Sequence, residues 1–262
     1  MTRRIRGAPI KSTLMHLTAA ARSEPGPRPA NQDAHFVDLS LGLFIVADGM
    51  GGHNAGEVAS RLAVEAVVDF IRKTHDVVDH TWPFPFDPSQ SVAANRVAVA
   101  LRIANRLVHE QGSKVPGQAG MGTTIVAVLV EGDRIVVGHV GDSRAYCLRA
   151  GELRQMTEDD TWLNVMLGAG AAASASDHPM RHVLTSGIGM RVDVEPSLIE
   201  EDLHRGEHWL ICTDGVHGTL DEQALQRALN TSSAEGAANA AVESALAAGT
   251  SDNATAVVLC VA

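Results

Sequence analysis

Apolar positions fall into short runs toward both ends of the chain and into two longer helical patterns between them. Strand-like runs are predicted at 14–21, 34–38 and 41–47, punctuated by Gly, Pro and Asn. Two stretches, 56–73 and 91–111, carry apolar residues at helical spacing, with Val97, Leu101, Ala104 and Val108 along one face of the second. Strands are predicted again at 123–130, 134–140, 145–149 and 152–156, with Glu131-Gly132-Asp133 and Ala150-Gly151 as hairpin turns. Strands at 194–199 and 208–213, helices at 221–230 and 234–248, and a strand at 254–261 complete the pattern. Strands on both sides of a central helix pair, without regular β-α alternation, predict an α+β fold of antiparallel sheets covered by helices.

Two segments stand outside this pattern. Residues 166–178 are small and polar with no periodicity, which predicts a mobile surface flap. Between the central helices, Trp82, Phe84 and Phe86 are three of nine aromatics in the chain, spaced by prolines. They read as a connection whose aromatics cap the helices beneath, with a partner-docking loop as the alternative. No linker divides the chain, so one domain is expected over 14–262. The basic start, 1–13, lacks the apolar segment of an export signal and reads as an extension.

Composition narrows the function. Aromatics are only 3% of residues, so the core must be built from Ala, Val, Leu and Ile. A formal net charge of −10 disfavours nucleic acid, whose phosphates need basic patches. No apolar stretch approaches the ~20 residues of a membrane span. Cys147, Cys212 and Cys260 sit in apolar runs without CxxC spacing, which predicts reduced thiols and a cytoplasmic protein.

The chemistry lies in a repeated construction, an apolar run ending in aspartate. LFIVADG ends at Asp48-Gly49, VVGHVGDS at Asp142, and WLICTDG at Asp214-Gly215; Asp252-Asn253 opens the last strand, and Asp33 precedes an early one. A single Asp-Gly after a strand ordinarily marks a turn. Several in one small domain require a further reason, because carboxylates at neighbouring strand ends repel unless a cation neutralises them. Mg²⁺ and Mn²⁺ prefer such oxygen ligands, and the glycine after Asp48 would allow close approach of a backbone carbonyl. Zinc is disfavoured: His178/His182 and His204/His208 have i,i+4 spacing but border a flap and a turn. Walker A, GxSxG and strand-linked GxGxxG patterns are absent.

The stretches RPANQDA (28–34), VADGMGGH (46–53), GMGTTIVAVLV (120–130), HVGDSRAY (139–146), LTSGIG (184–189), ICTDGV (211–216) and SDNATAVVL (251–259) together resemble the PPM (type 2C) metal-dependent Ser/Thr protein phosphatases, the bacterial stand-alone members above all. They span nearly the whole chain in the family's order. The resemblance implies a β-sandwich of two antiparallel sheets flanked by helices on both outer faces, in α-β-β-α layers. It further implies a site holding two Mn²⁺ or Mg²⁺ ions. In it Asp48 bridges both ions, Gly49 gives its carbonyl, Asp214 and Asp252 hold the second ion, and Asp33 acts through water. Asp142 with Asp214 would hold a third ion, and Arg28 would bind the substrate phosphate.

The implied reaction is hydrolysis of phosphoserine and phosphothreonine by a metal-bridged water or hydroxide, with Arg28 and Asp48 as catalytic residues and no covalent phospho-enzyme. Partners would be phosphorylated proteins, the Ser/Thr kinases and their substrates, with no nucleic acid or membrane involved. Two departures stand out. Met50 follows Asp48-Gly49, where animal members carry a histidine proposed as general acid, and His53 lies three residues on. The flap offers Ser174 or Ser176 at most as a third-ion ligand. A hydrolase of small phosphomonoesters and a non-catalytic binding protein are the competing readings; retention of every acidic position argues against the second.

Overall fold

The computed structural model describes residues 15–52, 55–75, 82–168, 178–180 and 183–262. Among these, two antiparallel sheets form. The first has the order β1 (Leu17–Glu24), β11 (Ala254–Val261), β10 (His208–Cys212), β7 (Arg144–Arg149) and β8 (Glu152–Gln155). The second has the order β2 (Asp33–Asp38), β3 (Leu43–Met50), β5 (Ile125–Glu131), β6 (Arg134–Val140) and β9 (Ser197–Asp202), with short β4 (Gly122–Thr123) on the end of β3.

Side-chain alternation explains the layering. In β3, Leu43, Ile45 and Ala47 join the cluster under α1 (Ala55–Thr74) and α2 (Val92–Lys114), whereas Phe44 and Val46 point the other way, toward Trp209, Ile211, Val257 and Leu259 of the opposite sheet. In β11, Ala254, Ala256 and Val258 face α5 (Glu222–Leu229) and α6 (Ala234–Ala247). Covering both faces of each sheet is why these strands read as nearly unbroken apolar runs. Each fully buried Val, Leu or Ile contributes roughly 1.5–3 kcal/mol, so the three apolar layers supply most of the driving force. Alanines at 234, 237, 238, 241 and 245 let α6 approach its sheet closely. Side-chain caps from Ser91, Asp221 and Ser233 start α2, α5 and α6. The expected α-β-β-α sandwich is the observed architecture.

Several boundaries differ from expectation, and three of them change the reading. β1 runs Leu17–Glu24 rather than 14–21, because its register is set by pairing with β11 from Leu17↔Val261 to Glu24↔Ala254. β9 begins at Ser197 rather than 194, after Pro196, which has no N–H to give to a ladder. Helix α3 (Trp162–Gly168) takes the first residues of the expected flap; residues 169–177, with Ser174 and Ser176, lie outside the described residues. So do the N-terminal extension, His53 and His182.

The aromatic connection packs on the helix pair. The Trp82 ring lies 6.4 Å from Phe70 of α1 and 5.5 Å from Phe86, and the Arg106 guanidinium of α2 sits 4.7 Å over Phe84. Cys147, Cys212 and Cys260 are unpaired, the first two buried. Among the described residues no helix is long and apolar enough to cross a membrane.

Candidate active site

Strand ends from both sheets meet at one edge of the sandwich. Asp33 and Asp48 are register partners on β2 and β3. Asp33 Oδ2 accepts hydrogen bonds from Thr255 Oγ1 at 2.6 Å and Thr213 Oγ1 at 2.9 Å, both from the opposite sheet's end of β10 and start of β11. Burial pushes the Asp33 carboxyl up to about 7 against the two threonine bonds, and repulsion from Asp214 and Asp252 adds to the rise. Burial likewise holds Asp48 well above the usual carboxylate range, reinforced by Asp33 and Asp214. Burial also raises the Asp214 carboxyl, and repulsion from Asp252 adds to the rise. The Asp48 backbone is pinned by Thr123 Oγ1 and Thr124 N on its carbonyl, at 2.7 and 2.9 Å, and by its own N–H to Thr124 Oγ1 at 3.1 Å.

Asp214 starts a four-residue helix, α4 (Asp214–His217), rather than ending in a plain turn. The glycines after the aspartates are needed for close backbone approach. A Cβ on Gly49 would lie 2.1 Å from the Gly56 carbonyl oxygen, and one on Gly215 would lie 1.9 Å from that of Asn253. Asp142 sits where the chain crosses from β6 to β7, between the two sheets. Its carboxyl is raised to about 7 by burial and then by Asp214. The His217 ring, one helical turn after Asp214, holds the Asp142 carbonyl through Nε2 at 2.9 Å. Nearby, Arg144 clamps Asp159 with two bonds of 2.8 and 2.7 Å.

Arg28 lies at the open rim, its side chain about half exposed (53%), with Nη2 2.7 Å from Asp252 Oδ2 and Nε 3.0 Å from the Ser251 carbonyl. The structure therefore brings Arg28, Asp33, Asp48, Asp142, Asp214 and Asp252 to one edge. The Met50 methyl carbon packs toward Gly187 and Gly122. His208, of the disfavoured zinc pairs, is committed to the Leu229 carbonyl at 2.7 Å.

The oxygens at this edge fit a hard divalent cation. Asp33 Oδ1 and Asp214 Oδ1 are buried with no hydrogen-bond partner, and burial raises the pKa of four carboxyls, at Asp33, Asp48, Asp142 and Asp214, as it does for anions lacking a counter-charge. Among the described residues no three His, Cys, Asp or Glu side chains are drawn into a closed ligand cluster. Threonine donors hold Asp33 through Oδ2 alone and Arg28 holds Asp252 through Oδ2, so each carboxylate is oriented by its own partner.

Several residues here were not foreseen. Thr213 and Thr255 read in sequence only as β-branched strand formers. His217 became visible as a site residue once α4 placed it over Asp142. Asn253 read in sequence only as the residue beside Asp252 where the last strand opens; its burial appears in the structure.

Residues 28–248 match the family described as protein phosphatase 2C. The chain is 34% identical over 245 residues to the serine/threonine protein phosphatase PstP of Mycobacterium tuberculosis, covering 92% of this chain and 44% of PstP. It thus spans less than half the length of that curated relative. It is 30% identical over 195 residues to the serine/threonine phosphatase stp of Listeria welshimeri, 72% of each protein. The crystal structure of the M. tuberculosis phosphatase superposes with a TM-score of 0.80 at 33% identity, covering 93% of this chain and 97% of that one. The PstP catalytic domain in complex with two manganese ions gives 0.79 at 32% identity, with 94% and 99% covered.

Proposed function

The chain belongs to the protein phosphatase 2C family, and on that premise we propose that it is a metal-dependent protein serine/threonine phosphatase acting on phosphoserine and phosphothreonine. The observation that carries this reading is the pair of unpartnered buried carboxylate oxygens, on Asp33 and Asp214, within a group of carboxyls that burial leaves short of positive charge. The related PstP catalytic domain crystallised with two manganese ions, which supports Mn²⁺ or Mg²⁺ as the cofactor here.

Asp48, Asp214 and Asp252, with the Gly49 carbonyl, would hold two ions, Asp33 acting through water; Asp142 with Asp214 would hold a third. When bound, the ions supply Lewis acidity, lowering the pKa of a water and offsetting charge on the phosphoryl oxygens. Arg28 presents a planar fork suited to two phosphate oxygens, from a position where the Asp252 carboxylate and the Ser251 carbonyl compete for it. Thr213 and Thr255 fix the Asp33 carboxylate, so it needs no reorientation during the reaction. Met50 has no transferable proton, so the leaving serine or threonine oxygen takes its proton from another group.

We further read residues 14–262 as one catalytic domain. Phosphorylated proteins, the Ser/Thr kinases and their substrates, are its partners in the cytoplasm; the unpaired thiols and the net charge of −10 support a reducing compartment and no nucleic acid. The test is turnover of a phosphothreonine peptide in Mn²⁺, Mg²⁺ and EDTA. Activity should vanish in EDTA and return with Mn²⁺; full turnover in EDTA, or rescue by Zn²⁺ alone, defeats the proposal.

A further inference from the structure

Arg28 stands in a loop of residues 25–32 that has no regular structure and contains Pro25, Pro27 and Pro29. Its side chain is about half exposed, with Asp252 and Ser251 holding the edge of the guanidinium, and the loop beneath sets where that side chain starts from. Ser60 Oγ holds the end of that loop at the Gln32 carbonyl, and one side chain, Asn253, spans the loop around Arg28. Asn253 Nδ2 donates to the Pro25 carbonyl at 2.9 Å and to the Ala30 carbonyl at 2.9 Å, one on each side of Arg28. Its Oδ1 accepts from Gln32 N at 2.8 Å. The amide thus uses both donors and its acceptor on one loop, while 97% of the residue's surface is buried, as its 3% exposure records.

The Asn253 backbone is fixed as firmly. Its N–H donates to Asp252 Oδ1 at 2.9 Å, leaving Oδ2 of that carboxylate to Arg28. Its carbonyl oxygen lies against Gly215, where any Cβ would come within 1.9 Å. Asn253 therefore joins the Arg28 loop to the turn that carries Asp214, without reaching the rim itself.

We infer that Asn253 is a positioning residue for phosphate binding: it sets where Arg28 meets the phosphoryl group. The inference rests on the proposed role of Arg28 as the phosphate ligand. No shorter polar side chain reaches both carbonyls, and an isosteric carboxylate would turn an acceptor toward them instead of two donors.

The experiment is a double-mutant cycle of Asn253→Ser and Arg28→Ala in the Mn²⁺-loaded protein. It measures kcat and KM for a phosphothreonine peptide and Ki for inorganic phosphate. In the Arg28 background, Asn253→Ser should raise KM and Ki together by about ten-fold, with a smaller fall in kcat. In the Arg28→Ala background the same change should shift both by less than about two-fold, because the group being positioned is gone. Equal losses in both backgrounds would mean that Asn253 only supports the fold, and would overturn the inference. If Arg28→Ala by itself leaves KM and Ki unchanged, the phosphate role of Arg28 fails and this inference with it. A wild-type protein that binds phosphate but does not turn over the peptide would instead defeat the proposed function. Should Asn253→Ser not fold, Asn253→Asp goes through the same cycle, since it keeps the side chain's size and loses the same two donors.

Discussion

Arg28 Nη2 and Asp252 Oδ2 lie 2.7 Å apart, pairing the arginine expected to take phosphate with a carboxylate expected to take a cation. A cation at Asp252 would draw the carboxylate's charge away from Arg28 and release the guanidinium to substrate. Arg28→Ala should therefore raise KM for a phosphothreonine peptide while Mn²⁺ affinity, read by titration calorimetry, stays equal or tightens. Weaker Mn²⁺ binding in that variant would show that the arginine supports the metal site rather than the phosphate.

Replacing Asp48, Asp214 or Asp252 with Asn should abolish turnover and leave the fold intact, because each change removes a charge and little volume at a strand end. Asp142→Asn should still bind two ions and turn over more slowly. The checks are kcat and Mn²⁺ stoichiometry for each purified variant. Near-normal turnover in Asp48→Asn would mean the cluster has been misassigned.

The buried carboxyls should make the metal-free protein less stable as pH rises. Asp33 and Asp142 stand at about 7 in the folded state against 3.8 for an ordinary aspartate, so between these values the folded state binds more protons and stability falls with pH. His217, lowered to about 4 by burial, has the opposite sign between about 4 and 6.5, where the unfolded state binds more protons. His35 and His139, also lowered by burial, act in the same sense as His217, so the clearest window is about pH 7 to 8, where unfolded histidines have lost most of their protons. There the melting temperature of the EDTA-treated protein should drop, and Asp142→Asn should drop less. Added Mn²⁺ should raise it more at the higher pH, because binding displaces protons. A pH-independent melting temperature in EDTA would contradict the buried-carboxyl account.

Gly215→Ala should destabilise the protein by about 1–3 kcal/mol and reduce activity, since the new methyl meets the Asn253 carbonyl at 1.9 Å and only backbone movement can relieve it. Gly168→Ala, where an added Cβ meets nothing within 4 Å, serves as the control. Urea denaturation of both variants decides the matter; equal midpoints would show that the turn at Asp214 yields easily.

Trp82→Ala combined with Phe84→Ala should cost about 2 kcal/mol or more, given the ring contacts with Phe70 and Arg106. Peptide turnover should follow stability. If stability holds and only activity toward an intact phosphoprotein falls, the segment is a docking surface instead.

The run patterns of the chain determined its layers. A strand such as Leu43–Met50, whose first five residues are all apolar and buried, demands cover on both faces, and the helix periodicity of α1 and α2 supplies it. The aspartates at run ends also marked the site, because a charge that terminates an apolar run has to lie where strands leave the core. Local signals could not set register. β1 slid by three residues to match β11, and β9 waited for Pro196 to pass, since ladder pairing is decided between strands far apart in the chain. The polar frame of the site was invisible for the same reason. Thr213, Thr255 and Asn253 are ordinary strand-end residues until the two sheets stack. Only then do the threonines stand against Asp33, which is 180 residues before Thr213 and 222 before Thr255, and the amide against the Arg28 loop. Sequence specifies which groups carry the charge. Tertiary structure decides which of them share a desolvated edge, because proximity and burial, the two quantities that shift a carboxyl and orient an arginine, exist only once the sheets have packed.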